Sequence, residues 1–349
     1  MSNPAHTHLL VVRFSAMGDV AMTIPVIRQL LEQHPGLSVT VVSDKKFTPL
    51  FNEISRLEYF PADIDGKHKG LTGLYRLYRA LKNGKKLTAI ADLHNVLRTK
   101  ILNFYFSHSG CKIVQIEKGR TEKKALTRKH NKILKQLPST FQRYADVFSK
   151  LGFPVRLSTS PIRIKLPATS EIKELAGKEN NILIGLAPFA KHKEKMYPLE
   201  KMEKVIEAIL KKGYKLFLFG GGAFEINQLR NWEKKFPAIV HTAGRFSLEQ
   251  ELVLISQLHI MISMDSANMH LASLFGVPVI SIWGATHPFA GFYGYAQDIS
   301  HVVQADLYCR PCSVFGNKKC YRGDRACMQM IFPHQIVDKL EEVLQSIKI

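Results

Sequence analysis

Apolar residues in this chain fall into short continuous runs, separated by stretches in which they recur at helical spacing. The runs "LLVVRF" (9–14), "LSVTVVS" (37–43), "LEYF" (57–60), "LTAIADLH" (87–94) and "CKIVQI" (111–116) read as strands. Between them, 20–34 reads as a helix with Val20, Ile24, Ile27 and Leu31 on one side, and Pro25 is expected to kink it or open it locally. "KFTPLF" (46–51) reads as a short helix or turn. Residues 71–83 carry Leu74, Leu77, Tyr78 and Leu81 on one helical face, a further helix runs from about Val96 to Phe106, and 140–152 ends at Gly152.

Residues 153–171 are rich in proline and small polar residues, which suits a linker. After them the alternation restarts. Strands are expected at 181–188, 214–222, 258–265 and 277–284, and helices at 199–213, 224–236, 247–257, 266–276 and 333–347. Strands this rich in β-branched residues suit parallel sheets buried on both faces. The expected fold class is therefore α/β, with two facing Rossmann-like doubly wound domains. The expected boundaries are 1–165 and 175–330, with 331–349 as a closing helix.

Composition narrows the function. The chain has 349 residues, with 49 Lys+Arg against 29 Asp+Glu, a formal net charge of +20. Such an excess points to a polyanionic partner: nucleic acid, an anionic membrane surface or a phosphorylated substrate. There is no run of 18 uncharged apolar residues and no secretory signal at the N-terminus, so the chain reads as cytoplasmic.

Ligands of doubly wound sheets sit beyond the carboxyl ends of strands, near helix N-termini. In the second half, "FAKHKEKMYP" supplies lysines for phosphate charge, "GGGAFE" supplies glycines and Glu225 for ribose, and "MDSANMH" supplies Asp265, Ser266 and His270 at a helix start. On the residues alone, Asp265 suits a helix cap as well as a ligand contact, and His270 suits a core histidine as well. In the first half the strand–helix turn "SAMGD" holds a single glycine, Gly18, followed by Asp19, a carboxylate that would repel a phosphate. Asp92, His94 and Arg98 in "DLHNVLRTK" end a strand and are candidate acceptor contacts. The segment 112–136, with nine Lys+Arg including Arg120, reads as a mobile basic loop and helix suited to an anionic lipid or glycolipid. Cys309, Cys312, Cys320 and Cys327 are spaced C-x2-C-x7-C-x6-C, without a second C-x2-C knuckle; structural zinc, reduced thiols and disulfides all stay open.

The motifs "RFSAMGDVAMTIPVIRQL", "KMYPLEKM", "GGGAFE", "SMDSANMHLASLFGVPVISIWGATHP" and "CRPCSVFGNKKC" together resemble the bacterial ADP-heptose:lipopolysaccharide heptosyltransferases, from about residue 9 to 337. The resemblance implies an inverting glycosyltransferase of GT-B architecture, with the acceptor on the first domain, ADP-heptose on the second, reaction in the cleft, and a last helix, 333–347, that can pack back on the first domain. It implies Asp19 as general base and Lys195 as stabiliser of the departing diphosphate, with no cofactor and no metal. It implies that Glu225 and the turn Asp265, Ser266, Ala267, Asn268, Met269 and His270 bind the nucleotide, alongside Gly18. Where the family usually has threonine and glycine after the aspartate, this chain has Ser266 and Ala267. The expected acceptor is a phosphorylated Kdo–lipid A glycolipid at the inner face of the inner membrane, met by a monomer. Two other readings remain: the same scaffold with another sugar nucleotide, and a basic nucleic-acid-binding protein. Against the latter, the chain lacks an aromatic-rich RNA motif and a helix-turn-helix signal.

Overall fold

The computed structural model describes residues 7–347 apart from 53, 85 and 179. The chain divides into two compact units, one of residues 1–118 and 138–158, the other of 119–137 and 159–349.

The first unit is built on five strands, β1 Thr7–Val12, β2 Leu37–Asp44, β3 Leu57–Ala62, β4 Ala89–Asp92 and β5 Lys112–Gln115. All pair in parallel in the order β3-β2-β1-β4-β5. Its helices are α1 Met17–Ala21, α2 Thr23–Gln33, α3 Gly70–Lys82 and α4 Leu97–Ser107. The helix expected over 20–34 is in fact α1 and α2, broken at Met22 rather than at Pro25. The reason is positional: Pro25 falls in the first turn of α2, where its missing N–H deprives no carbonyl of a partner. Leu10, Val12, Leu74, Leu77, Leu81, Ile90, Leu102 and Phe106 form one buried cluster between this sheet and the pair α3–α4.

The helix α5 Arg120–Thr127 belongs to the second unit, whereas the following helix, α6 Thr140–Leu151, returns to the first and is closed by Gly152 at φ 103°. Six parallel strands build the second unit: β6 Leu183–Ala187, β7 Lys215–Leu218, β8 Val240–His241, β9 Ile260–Met264, β10 Val279–Trp283 and β11 Val302–Gln304. Their order, β11-β10-β9-β6-β7-β8, is the dinucleotide-binding arrangement read from the centre outwards. The helices α7 Ser170–Ala176, α8 Leu199–Lys211, α9 Ala223–Lys235, α10 Leu248–Gln257, α11 Ala267–Leu274, α12 Ala326–Gln329 and α13 Pro333–Ser346 surround it. The fold class expected from the sequence, α/β with two doubly wound parallel sheets, is the one the chain adopts.

The boundaries differ from expectation in two places, each for a packing reason. Helix α13 buries Ile336, Leu340 and Val343 in the second unit's core, beside Val205 and Ile209 of α8, so this apolar face belongs to the second unit. The basic segment Gly119–Leu137 also packs on the second unit. Leu126 and Leu137 bury against Ala290, and the Leu137 amide donates to the Phe289 carbonyl at 2.9 Å. Lys123 lies 4.3 Å from the Phe292 ring centroid and Lys129 lies 5.0 Å from that of Tyr321. Lys132 donates to the Pro311 carbonyl at 2.9 Å. Part of the charge expected to meet an external anion is therefore spent inside the protein.

Candidate active site

Each sheet has one place where the strand order reverses, and there two neighbouring loops diverge and leave a crevice. In the first unit it lies between β1 and β4, and in the second between β6 and β9. The loops that leave these four strands carry the residues that matter.

In the first unit β1 runs into Arg13, which is 7% exposed and donates to the Leu93 carbonyl beyond β4 at 2.7 Å. Its other terminal nitrogen sits 2.8 Å from Asp19 Oδ2. The same oxygen accepts from the Ala16 amide at 3.3 Å, and the buried Tyr144 hydroxyl donates to the Asp19 carbonyl at 3.2 Å. Arg13 stays charged: burial lowers its pKa, but Tyr144 and Asp19 beside it outweigh that. Both side-chain contacts of Asp19 land on Oδ2. Oδ1 accepts no hydrogen bond from the described residues, and the side chain is 33% exposed. The carboxylate is thus aimed by an arginine and still has an oxygen to offer. Gly18 lies within α1 rather than at the bend, which Arg13–Ala16 make. It also belongs to the first unit, whereas the other residues expected to hold the nucleotide belong to the second.

His94 follows β4. Burial, then Arg13 and Lys118, push its pKa down to about 3, so its ring is neutral at ordinary pH, and its buried Nδ1 has no partner. Asp92 corrects an expectation, because it is fully buried and cannot touch an acceptor. Oδ1 accepts from the amides of His94 (2.9 Å) and Asn95 (2.8 Å), and Oδ2 from the side chains of Asn103 (2.8 Å) and Gln115 (3.1 Å). It is the pin that presents His94. Asp92→Ala strands four donors, and we expect it to cost about 3–5 kcal/mol of stability in a denaturant titration. A residue that only touched acceptor would cost activity and leave the titration midpoint in place. Arg98 is half-buried at the start of α4. Arg120 is exposed at the start of α5 and belongs to the second unit, whereas His94 and Arg98 belong to the first.

In the second unit the short 3-10 turn Lys193–Lys195 follows β6, and Lys195 Nζ lies 3.0 Å from Asp265 Oδ2, just beyond β9. Both side chains are nearly buried, at 14% and 10% exposure. The Thr286 hydroxyl, from the loop after β10, donates to the same Asp265 oxygen at 2.8 Å. Asp265 is therefore the counter-ion of Lys195 and not a helix cap. Ser266 occupies the cap position of α11 without a side-chain cap bond, and its hydroxyl lies 3.2 Å from that of Ser263. Helical periodicity turns Ala267 and Asn268 partly outward but buries Met269 completely and His270 to 7% exposure. The side chain of Met269 is a core residue, contrary to its expected role as a nucleotide contact. Glu225, in the first turn of α9 beyond β7, accepts from the Gly221 amide at 2.8 Å, and burial raises its pKa against that bond.

The cysteine-rich segment is built into this site. A Cβ at Gly316, where φ is +76°, would lie 2.3 Å from Lys195 Cγ, so only glycine leaves room for the lysine stem. Arg325 donates to the carbonyls of Lys193 and Met196, both at 2.7 Å, and fixes the turn that carries Lys195. Arg310 donates to the carbonyls of Gly284 (2.6 Å) and Thr286 (3.1 Å), which holds the loop bearing Thr286. All five cysteines are free thiols, and burial pushes Cys327 up to about 11. Among the described residues no group of three or more His, Cys, Asp or Glu is placed to hold a metal. Arg13, Thr286, Arg310, Gly316 and Arg325 escaped the sequence reading. Only Arg13 left a local signal, a cation directly after an apolar strand and six residues before an acid.

The family model described as glycosyltransferase family 9 (heptosyltransferase) matches residues 74–321. A curated relative, the lipopolysaccharide core heptosyltransferase OpsX of Haemophilus influenzae, is 23% identical over 291 residues, covering 80% of each chain. The crystal structure of a family 9 glycosyl transferase from Veillonella parvula aligns over 99% of both chains with TM-score 0.77 at 20% identity. That of E. coli heptosyltransferase WaaC with ADP covers 97% of this chain and 100% of its own, with TM-score 0.69 at 17% identity. The two structural likenesses are likenesses of fold.

Proposed function

From the premise that this chain belongs to glycosyltransferase family 9, the heptosyltransferases, and is thus a glycosyltransferase of lipopolysaccharide core assembly, we propose how and on what it acts. The donor is ADP-heptose and the acceptor a phosphorylated Kdo–lipid A glycolipid of the inner core. The observation that carries this reading is the pair of switch-point constellations, above all Asp19 with one oxygen aimed by Arg13 and the other free.

Transfer proceeds with inversion. The acceptor hydroxyl attacks the anomeric carbon, its C–O bond forms as the bond to the β-phosphate oxygen breaks, and the hydroxyl proton passes to Asp19. His94, neutral and next to the same loop, accepts a hydrogen bond from the acceptor. Negative charge develops on the departing ADP, and Lys195 stabilises it by turning from Asp265 to the phosphate. Thr286 keeps the Asp265 carboxylate satisfied during that exchange. Glu225 hydrogen-bonds the ribose, and the exposed start of α11, Ser266–Asn268, faces the pyrophosphate. Work takes place at the inner face of the inner membrane.

The test is incubation with ADP-heptose and Kdo-bearing acceptors, with mass detection of product. A gain of one heptose with release of ADP supports the reading. Transfer only from a different sugar nucleotide would overturn the choice of donor.

A further inference from the structure

The pair α3–α4 of the first unit turns an unusual surface outward. On α3, Leu71 and Tyr75 are 63% and 46% exposed, and on α4, Leu97 and Phe104 are 76% and 63% exposed. These positions are four and seven apart, so each pair lies along one helical stripe. The stripes meet through Tyr105, whose ring centroid lies 5.5 Å from that of Tyr75, 5.8 Å from that of Tyr78 and 6.2 Å from that of Phe104. The aromatic rings therefore form one connected cluster of tilted and edge-on contacts across the two helices.

Charge around this patch has one sign. From Lys67 to Lys112 the sequence has ten Lys+Arg and one acid, Asp92, which is fully buried. Arg76, Arg79, Lys82, Lys86 and Lys100 are exposed. Lys82 donates to the Tyr78 hydroxyl at 3.3 Å and lies 5.7 Å from the centroid of that ring, so this cation is held at the aromatic edge. Tyr75, Tyr78, Arg79, Lys82, Asn83 and Gly84 line an open cleft there.

We propose that the α3–α4 face docks on an anionic phospholipid leaflet. Two features fit that occupant. Tyrosine rings with a polar tip, beside cations on flexible stems, match the boundary between headgroup and acyl chain. Leucines projecting from the same face add nothing to stacking on bases but insert between acyl chains, which favours lipid over nucleic acid. Among the described residues no helix is long and apolar enough to cross a membrane, so attachment of this kind would be to the surface. Leu97 stands three residues from His94, so docking here would bring the first unit's site to a lipid-borne acceptor.

The experiment is sedimentation of the full-length protein with phosphatidylcholine vesicles, with and without phosphatidylglycerol, over a range of salt. We expect binding to the anionic vesicles only, weakening as salt rises. The triple variant Arg76→Ala/Arg79→Ala/Lys82→Ala should lose about a hundredfold in partition, at about fivefold per cation near such a surface. Leu71→Ser/Phe104→Ser should weaken binding while keeping its salt dependence. Thermal melting of each variant confirms folding, and all five substituted sites are exposed enough to leave it unchanged. Undiminished vesicle binding by a folded triple variant would overturn the proposal, as would tighter binding to single-stranded RNA than to the vesicles. Vesicle binding needs no donor, so vesicle binding without sugar transfer would sink the proposed function and leave this inference standing.

Discussion

Asp19→Asn lowers heptose transfer by about 10³-fold while ADP still binds within a few-fold of wild type. A side chain that takes a proton in the transition state contributes on the order of 10²–10⁴ in rate. Asparagine keeps the shape of aspartate and can still accept from the Ala16 amide, but it cannot receive the hydroxyl proton. The residues proposed to grip the diphosphate, Lys195 and the start of α11, belong to the other unit and are untouched. Single-turnover product formation measured by mass, with ADP binding measured by calorimetry, separates the two effects. Full activity in this variant would refute Asp19 as base. Arg13 keeps its bond to the Leu93 carbonyl but loses its carboxylate counter-ion, so a lowered melting temperature is expected, and activity is compared where both proteins are folded.

Lys195→Ala produces the second large effect, and a different kind. Loss of one donor aimed at developing charge costs on the order of 10²–10³ in turnover. Donor affinity falls as well, because the change leaves Asp265 as a carboxylate with only Thr286 for a partner, facing a diphosphate. The double variant Lys195→Ala/Asp265→Ala should therefore regain part of the donor affinity and none of the turnover. Donor titration by calorimetry alongside steady-state kinetics reads both. An unchanged donor affinity in the single variant would count against the assigned role of Lys195.

The two sheets were legible in the sequence because β1, β6, β9 and β10 are continuous apolar runs with almost no exposed position. Asp19 and Asp265 were legible as carboxylates in the loops beyond such runs, whereas Lys195 was picked out from the lysines of its loop by the family resemblance. What was illegible is the pairing. That Asp265 answers Lys195 depends on β6 and β9 lying side by side, and nothing local to either residue states it. Asp92 misled for the same reason: a carboxylate at a strand end looks the same whether it faces a ligand or accepts from Asn103 and Gln115. The basic segment was legible as a run of charge, but not that two of its lysines, Lys123 and Lys132, lie against a ring and a carbonyl far along the chain. Gly316 and Arg325 could not be read at all, since their meaning lies in a lysine more than a hundred residues earlier.

That last arrangement bears on how the molecule is made. Synthesis runs from the N-terminus, and completed stretches fold as they leave the ribosome. Residues Gly119–Leu137 emerge before any strand of the sheet they help to cover, so they must wait, unclaimed, until Phe289 and Ala290 follow. Lys195 emerges next, with the arginine and glycine that hold it still to be translated. A chain that stalled short of residue 316 would therefore carry the lysine without its fence, and the proposed grip on the diphosphate would be among the last properties a newborn copy acquires.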